Sequence, residues 1–90
     1  MFKPDPELIG EDVVIDTSSP IVYIGRLAAV EDTCLLLEDV DVHDINDTST
    51  TKDIYILEAR KFGVKKNRIR ARLSLDQVVS LSKLDEVIEY

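Results

Sequence analysis

Apolar and polar positions along the chain alternate in short blocks. Val13-Val14-Ile15 sits between Asp12 and Asp16-Thr17, and Ser18-Ser19-Pro20 interrupts it. Ile21-Val22-Tyr23-Ile24-Gly25-Arg26-Leu27-Ala28-Ala29-Val30 follows, and Glu31-Asp32-Thr33 interrupts that. Cys34-Leu35-Leu36-Leu37-Glu38-Asp39-Val40 forms the third block. Runs this short, rich in Val, Ile, Leu and Tyr and bounded by turn residues, predict consecutive antiparallel strands over about 12–17, 21–30 and 33–42. Gly25 lies inside the second, where glycine weakens pairing and predicts a bulge, a bend or a close backbone approach. A sheet bent there curls over its own apolar face.

On the N-terminal side, Asp5 as N-cap, Pro6 at the first helical position and Gly10 as a stop predict a short helix over 5–9. From 41 to 53 the chain is polar. Thr50 followed by Asp53 resembles a capping box, Ile54, Leu57 and Lys61 recur at helical spacing with Tyr55 and Phe62 alongside, and Gly63 is a stop signal. These signs predict a helix over about 51–62; a strand is the competing reading of Ile54-Tyr55-Ile56-Leu57. Beyond Gly63, Arg68, Arg70 and Arg72 alternate with Ile69, Ala71 and Leu73, the pattern of a half-buried strand with a cationic outer face, over about 65–73. Ser74-Leu75-Asp76 precedes a last short strand over about 77–82, and the acidic tail carries Leu84, Val87 and Ile88 at helical spacing. The expected architecture is mainly β, a single domain over 1–90. It has a short N-terminal helix, five strongly bent antiparallel strands in a small open barrel, and a helical insertion before the fourth strand.

Ninety residues leave no room for a second core. Cys34 is the single cysteine, which excludes an intrachain disulfide and is expected to be a small core residue in a reducing compartment. His43, the single histidine, stands in a polar stretch with nothing to mark it as a base for that thiol. No carboxylate pair, serine–histidine arrangement or glycine-rich phosphate loop is marked out, so an enzyme and a cofactor are not expected. Asp39, Asp41, His43, Asp44 and Asp47 are rich in oxygen ligands but lack the fixed glycine and terminal glutamate of a calcium loop. A solvated acidic loop, and no metal, is the expectation. The chain has no apolar N-terminal leader and no run near the ~18 apolar residues of a membrane span, so a cytoplasmic protein without membrane contact is expected.

The net charge of −7 argues against general electrostatic binding to nucleic acid or anionic lipid. Its distribution is uneven, because Arg60, Lys61, Lys65, Lys66, Arg68, Arg70 and Arg72 lie within 60–72 with no acidic residue among them. Such an island binds an anion locally or meets an acidic surface of another copy. Tyr23 and Phe62 have the chemistry to stack on bases, but without a clustered aromatic platform they are expected in core or interface packing.

The pattern resembles the Sm and Sm-like (LSm) superfamily, in a divergent form of bacterial or phage type. Gly10 with Val13 and Ile15 is similar to the family's opening strand, Tyr23-Ile24-Gly25-Arg26-Leu27 to the centre of its first motif, Val30-Glu31-Asp32 to its hydrophobic-acidic turn, and Leu37-Glu38-Asp39 to its end. The resemblance is close only over 10–39. It implies a homo-oligomeric ring of about five to seven subunits, the fourth strand of one copy pairing with the fifth of the next, and a role in RNA metabolism. The chain departs from the family where RNA is read. The neighbourhood of the usual base-contacting asparagine is Thr33-Cys34-Leu35, and Leu73-Ser74-Leu75-Asp76 lacks the usual Arg-Gly. The candidate RNA contacts are therefore Asp32, Thr33, Asn67, Arg68, Arg70, Arg72, Ser74 and Asp76. The candidate interface residues are Arg68, Arg70, Arg72, Val78, Val79 and Leu81. Two functions stay open: a ring that binds single-stranded RNA with an altered pocket, and a non-catalytic structural or protein-interaction ring that binds none.

Overall fold

In the computed structural model, which describes residues 3–89, five strands form one antiparallel sheet: β1 (Asp12–Thr17), β2 (Ile21–Val30), β3 (Cys34–Asp44), β4 (Arg68–Ser74) and β5 (Val78–Lys83). Their order is β4-β3-β2-β1-β5, so the sheet is an open barrel with β4 and β5 as its edges. A single helix, α1 (Lys52–Phe62), is inserted between β3 and β4.

The uninterrupted apolar run of β1 has a physical cause. Val13 and Ile15 point into the barrel with Leu27, Leu35, Leu37, Val40, Leu73 and Leu75. Val14 points the other way, with Val22 and Ile24, onto Ala59 of α1 and Leu84. Both faces of this part of the sheet are covered, so the strand has no solvent side and no reason to alternate.

The sharp bend lies where the glycine in β2 predicts it. Ile24 pairs with Asp41 and Arg26 with Glu38, so Gly25 faces two residues of β3. A Cβ on Gly25 would lie 2.8 Å from Val40 Cα, closer than any side chain tolerates. Asp39, the first bulged residue, takes φ 48°, the left-handed region that Asp enters more readily than most residues.

Several local expectations change. The N-terminal segment is one 3-10 turn (Pro6–Leu8), its cap Asp5 accepting from the backbone N–H of Glu7 at 3.0 Å. Thr51, not Thr50, caps α1, accepting from the Ile54 N–H at 3.2 Å. The acidic stretch at 39–47 is no loop: most of it is the second half of β3, which runs on to Asp44. The tail beyond β5, which carries Leu84, Val87 and Ile88 at helical spacing, forms a 3-10 turn (Leu84–Glu86), and Tyr90 lies outside the described residues.

Candidate nucleic-acid interface

The cationic face predicted for the fourth strand exists, but most of its charge is committed. In the β3–β4 register Glu38 stands opposite Arg70. Glu38 accepts from Arg70 Nη2 at 3.3 Å and from Arg26 Nη2 at 3.2 Å. Asp39 accepts from Arg26 Nη1 at 2.9 Å and lies 3.6 Å from Lys66 Nζ. Hydrogen bonding from Arg26, with Lys66 nearby, holds the Asp39 carboxyl below the usual carboxylate range, and Arg26 is raised in return. Arg72 reaches Glu31 at 3.3 Å. The β3 carboxylates and Glu31 thus neutralise the strand that carries the arginines. Arg68 differs: its Nη1 donates only to the backbone oxygen and side chain of Asn67, at 3.1 and 3.4 Å, and among the described residues it meets no carboxylate.

Asn67, a candidate reader of bases, is spent on structure. Its Oδ1 accepts from the Val42 N–H and its Nδ2 donates to the Val42 carbonyl, both at 3.0 Å, while its own N–H donates to the Val40 carbonyl at 3.0 Å. The side chain acts as one more rung of the sheet. Nδ2 also reaches Asp41 Oδ1 at 3.3 Å, and the Tyr55 hydroxyl donates to Asp41 Oδ2. Asp41 is buried (2 % exposed), and burial together with this carboxylate pushes the Tyr55 phenol well above its ordinary value. His43 stacks on Tyr55 with ring centroids 3.8 Å apart. This network fastens α1 to β3 and to the start of β4.

The two turns picked out by the resemblance do come together. The Leu75 N–H donates to the Thr33 carbonyl at 3.0 Å, which brings Asp32 and Thr33 beside Ser74 and Asp76. Ser74 is occupied as the cap of the following 3-10 turn, accepting from the Asp76 N–H at 3.4 Å. A groove of about 540 Å³ opens there, lined by Pro4, Pro6, Val30 and Leu75 and by Lys3, Asp5, Glu31 and Asp32. Three carboxylates against one lysine make it a poor phosphate site.

Of the candidate interface residues, Val78 and Leu81 turn toward the barrel core, whereas Val79 is 60 % exposed on the β5 edge. Ile69 is 80 % exposed at the start of β4, although the alternation placed it on the buried side. Tyr23 packs against the core as expected, but Phe62 does not: it is 77 % exposed. Cys34 is likewise no core residue. Its thiol donates to Glu31 at 3.3 Å, which raises its pKa. Among the described residues no group of three His, Cys, Asp or Glu side chains could hold a metal ion, and no helix is long and apolar enough to cross a membrane.

A strongly bent five-stranded sheet with this order and a single inserted helix is an Sm-like fold, with a divergent sequence. Among solved structures the chain is similar to the Pyrococcus abyssii Sm protein in complex with a uridine heptamer, with a TM-score of 0.58 and 16 % identity over 89 % of this chain and 99 % of that one. It is similar to the same degree to a chain in the crystal structure of the NatC complex bound to CoA, with a TM-score of 0.57 and 16 % identity over 96 % of this chain and 91 % of that one. No protein-family model and no curated protein sequence matches it.

Proposed function

We propose that the protein is a non-catalytic, ring-forming Sm-like subunit. About five to seven copies pair β4 of one with β5 of the next, and the ring binds single-stranded RNA through an altered surface. The observation that carries this reading is the pair of open edges, each with an exposed apolar side chain, Ile69 on β4 and Val79 on β5. Unpaired strand edges need cover, and head-to-tail pairing covers both at once. The RNA part draws on the fold shared with a protein that holds a uridine heptamer, and on the cations that no carboxylate covers. A second reading, a ring that binds protein and no RNA, is favoured by the neutralised arginines, the acidic groove and the likeness to a chain of a multi-subunit complex.

Light scattering tests the assembly. A closed oligomer that Val79→Asp dissociates supports it, and a wild-type monomer at micromolar concentration overturns both readings. Fluorescence anisotropy with short uridine- and adenine-rich RNA at two salt concentrations then separates them. Binding that weakens with salt supports the RNA ring, and no binding at low salt leaves the protein-interaction ring.

A further inference from the structure

We infer that the RNA-contacting surface of the assembly is the crossing from α1 to β4, with Phe62 as a stacking platform and Lys61, Lys65, Lys66 and Arg68 as phosphate contacts. This rests on the RNA reading of the previous subsection and gives it a place that the family's two loops do not supply.

Exposure is the first reason. Phe62 ends α1 with 77 % of its surface open, outside the core of the subunit. Lys61, Lys65, Lys66 and Arg68 are exposed around it in sequence, and no acidic residue interrupts 60–72. The second reason is that this charge is uncommitted. Among the described residues Lys61, Lys65 and Arg68 form no salt bridge, and Lys66 has only the 3.6 Å approach to Asp39. Arg26, Arg70 and Arg72, by contrast, are each held by a carboxylate.

The segment is also fastened at both ends. On one side the buried Ala59 and the Tyr55–Asp41 hydrogen bond seat the helix, and Gly63, at φ 94°, turns the chain away. On the other, Asn67 grips Val40 and Val42 of β3. The residues between carry their charges outward from a fixed backbone, so little ordering is needed on binding. A groove of about 240 Å³ lined by Asp39, Lys66, Asn67, Arg68 and Ile69 lies alongside.

An exposed aromatic ring in the same short segment as uncommitted cations suits unpaired nucleotides in particular. Each base offers a π-face to the ring while its phosphate meets a lysine or arginine; a duplex hides those faces. In a ring the surface recurs once per subunit, so successive nucleotides of one strand engage several copies and weak single contacts add up.

The test uses the assembled protein and a fluorescein-labelled oligouridine, followed by anisotropy between about 50 and 200 mM salt. Phe62→Ala is expected to weaken binding by about tenfold or more, the loss of one stacked base for each engaged subunit, while Phe62→Tyr retains it. Lys65→Gln is expected to lower the salt slope by about one for each engaged subunit, and Asp32→Asn and Ser74→Ala to leave affinity unchanged. Wild-type binding that the Phe62 and Lys65 variants leave intact, but that the Asp32 or Ser74 variants weaken, overturns this inference and leaves the RNA reading standing. A ring mass altered by Phe62→Ala at unchanged RNA affinity assigns Phe62 to a protein contact and overturns it too. Absence of wild-type binding at low salt removes the RNA reading itself.

Discussion

The turns at Thr33 and Ser74 and the crossing from α1 to β4 both border the cationic fourth strand, and they differ in what they leave free. At the turns the cation and the nucleophiles have partners: Arg72 and Cys34 share Glu31, Ser74 caps a turn, and the groove between is acidic. At the crossing, Lys61, Lys65 and Arg68 meet no carboxylate among the described residues, and Phe62 in the same segment is exposed. The charge written along a strand is therefore not the charge it presents. Partners across the sheet decide how much of it reaches a ligand.

The contrast depends on register, so the largest effect is expected where register is set. Gly25→Val drives a side chain into Val40 and should cost about 3 kcal/mol in urea unfolding, the upper end for overpacking. Any folded remainder should lose the opposition of Arg26 and Glu38. Unchanged stability would show that the bulge does not fix the pairing.

Next in size is the clamp that holds the crossing. Tyr55→Phe removes the donor to a buried carboxylate and should cost about 1–2 kcal/mol. Its local signature is faster hydrogen exchange over 63–68 with no change at the turns. The clamp also has a pH signature. The Tyr55 phenol is raised in the folded state, so its share of stability is complete below the ordinary tyrosine value of 10.0 and is lost as the pH climbs above it. Wild-type unfolding midpoints should fall in that alkaline range more steeply than those of Tyr55→Phe; parallel curves would contradict the assignment.

A smaller change should move the turns toward the crossing in character. Glu38→Gln frees Arg70 while Arg26 stays on Asp39, and should strengthen RNA binding and steepen its salt dependence. The smallest effect is expected at Cys34. Glu31→Gln takes away the carboxylate that raises its thiol, so alkylation near neutral pH should quicken modestly; an unchanged rate would mean that the hydrogen bond does not control it.

Most of the fold is legible in the sequence because it follows from local pattern. The three apolar runs, the glycine at the bend and the arginine alternation each state their element within a few residues. What the pattern hides are choices made at long range. The alternation places Ile69 on a covered face, but at the start of β4 nothing in the subunit covers it. The periodicity of α1 picks out Ile54 and Leu57, whereas the buried side of the helix is Ala59 with Tyr55 and Ile56. The pairing of Glu38 with Arg70 joins positions 32 apart, and it exists only because β3 and β4 meet in the register that sets those two residues opposite each other. The arginine face is thus readable from sequence, and its neutralisation is not. Asn67 was marked by its neighbour Arg68, and the backbone of β3 claims it instead.

The most direct measurement compares two arginines of the same strand. Arg68→Gln and Arg72→Gln rings, of equal mass by light scattering, are titrated with oligouridine over a range of salt. The account predicts that Arg68→Gln lowers the slope of log K against log salt by about one for each engaged subunit and that Arg72→Gln leaves it at the wild-type value. A lowered slope for Arg72→Gln with none for Arg68→Gln would contradict it.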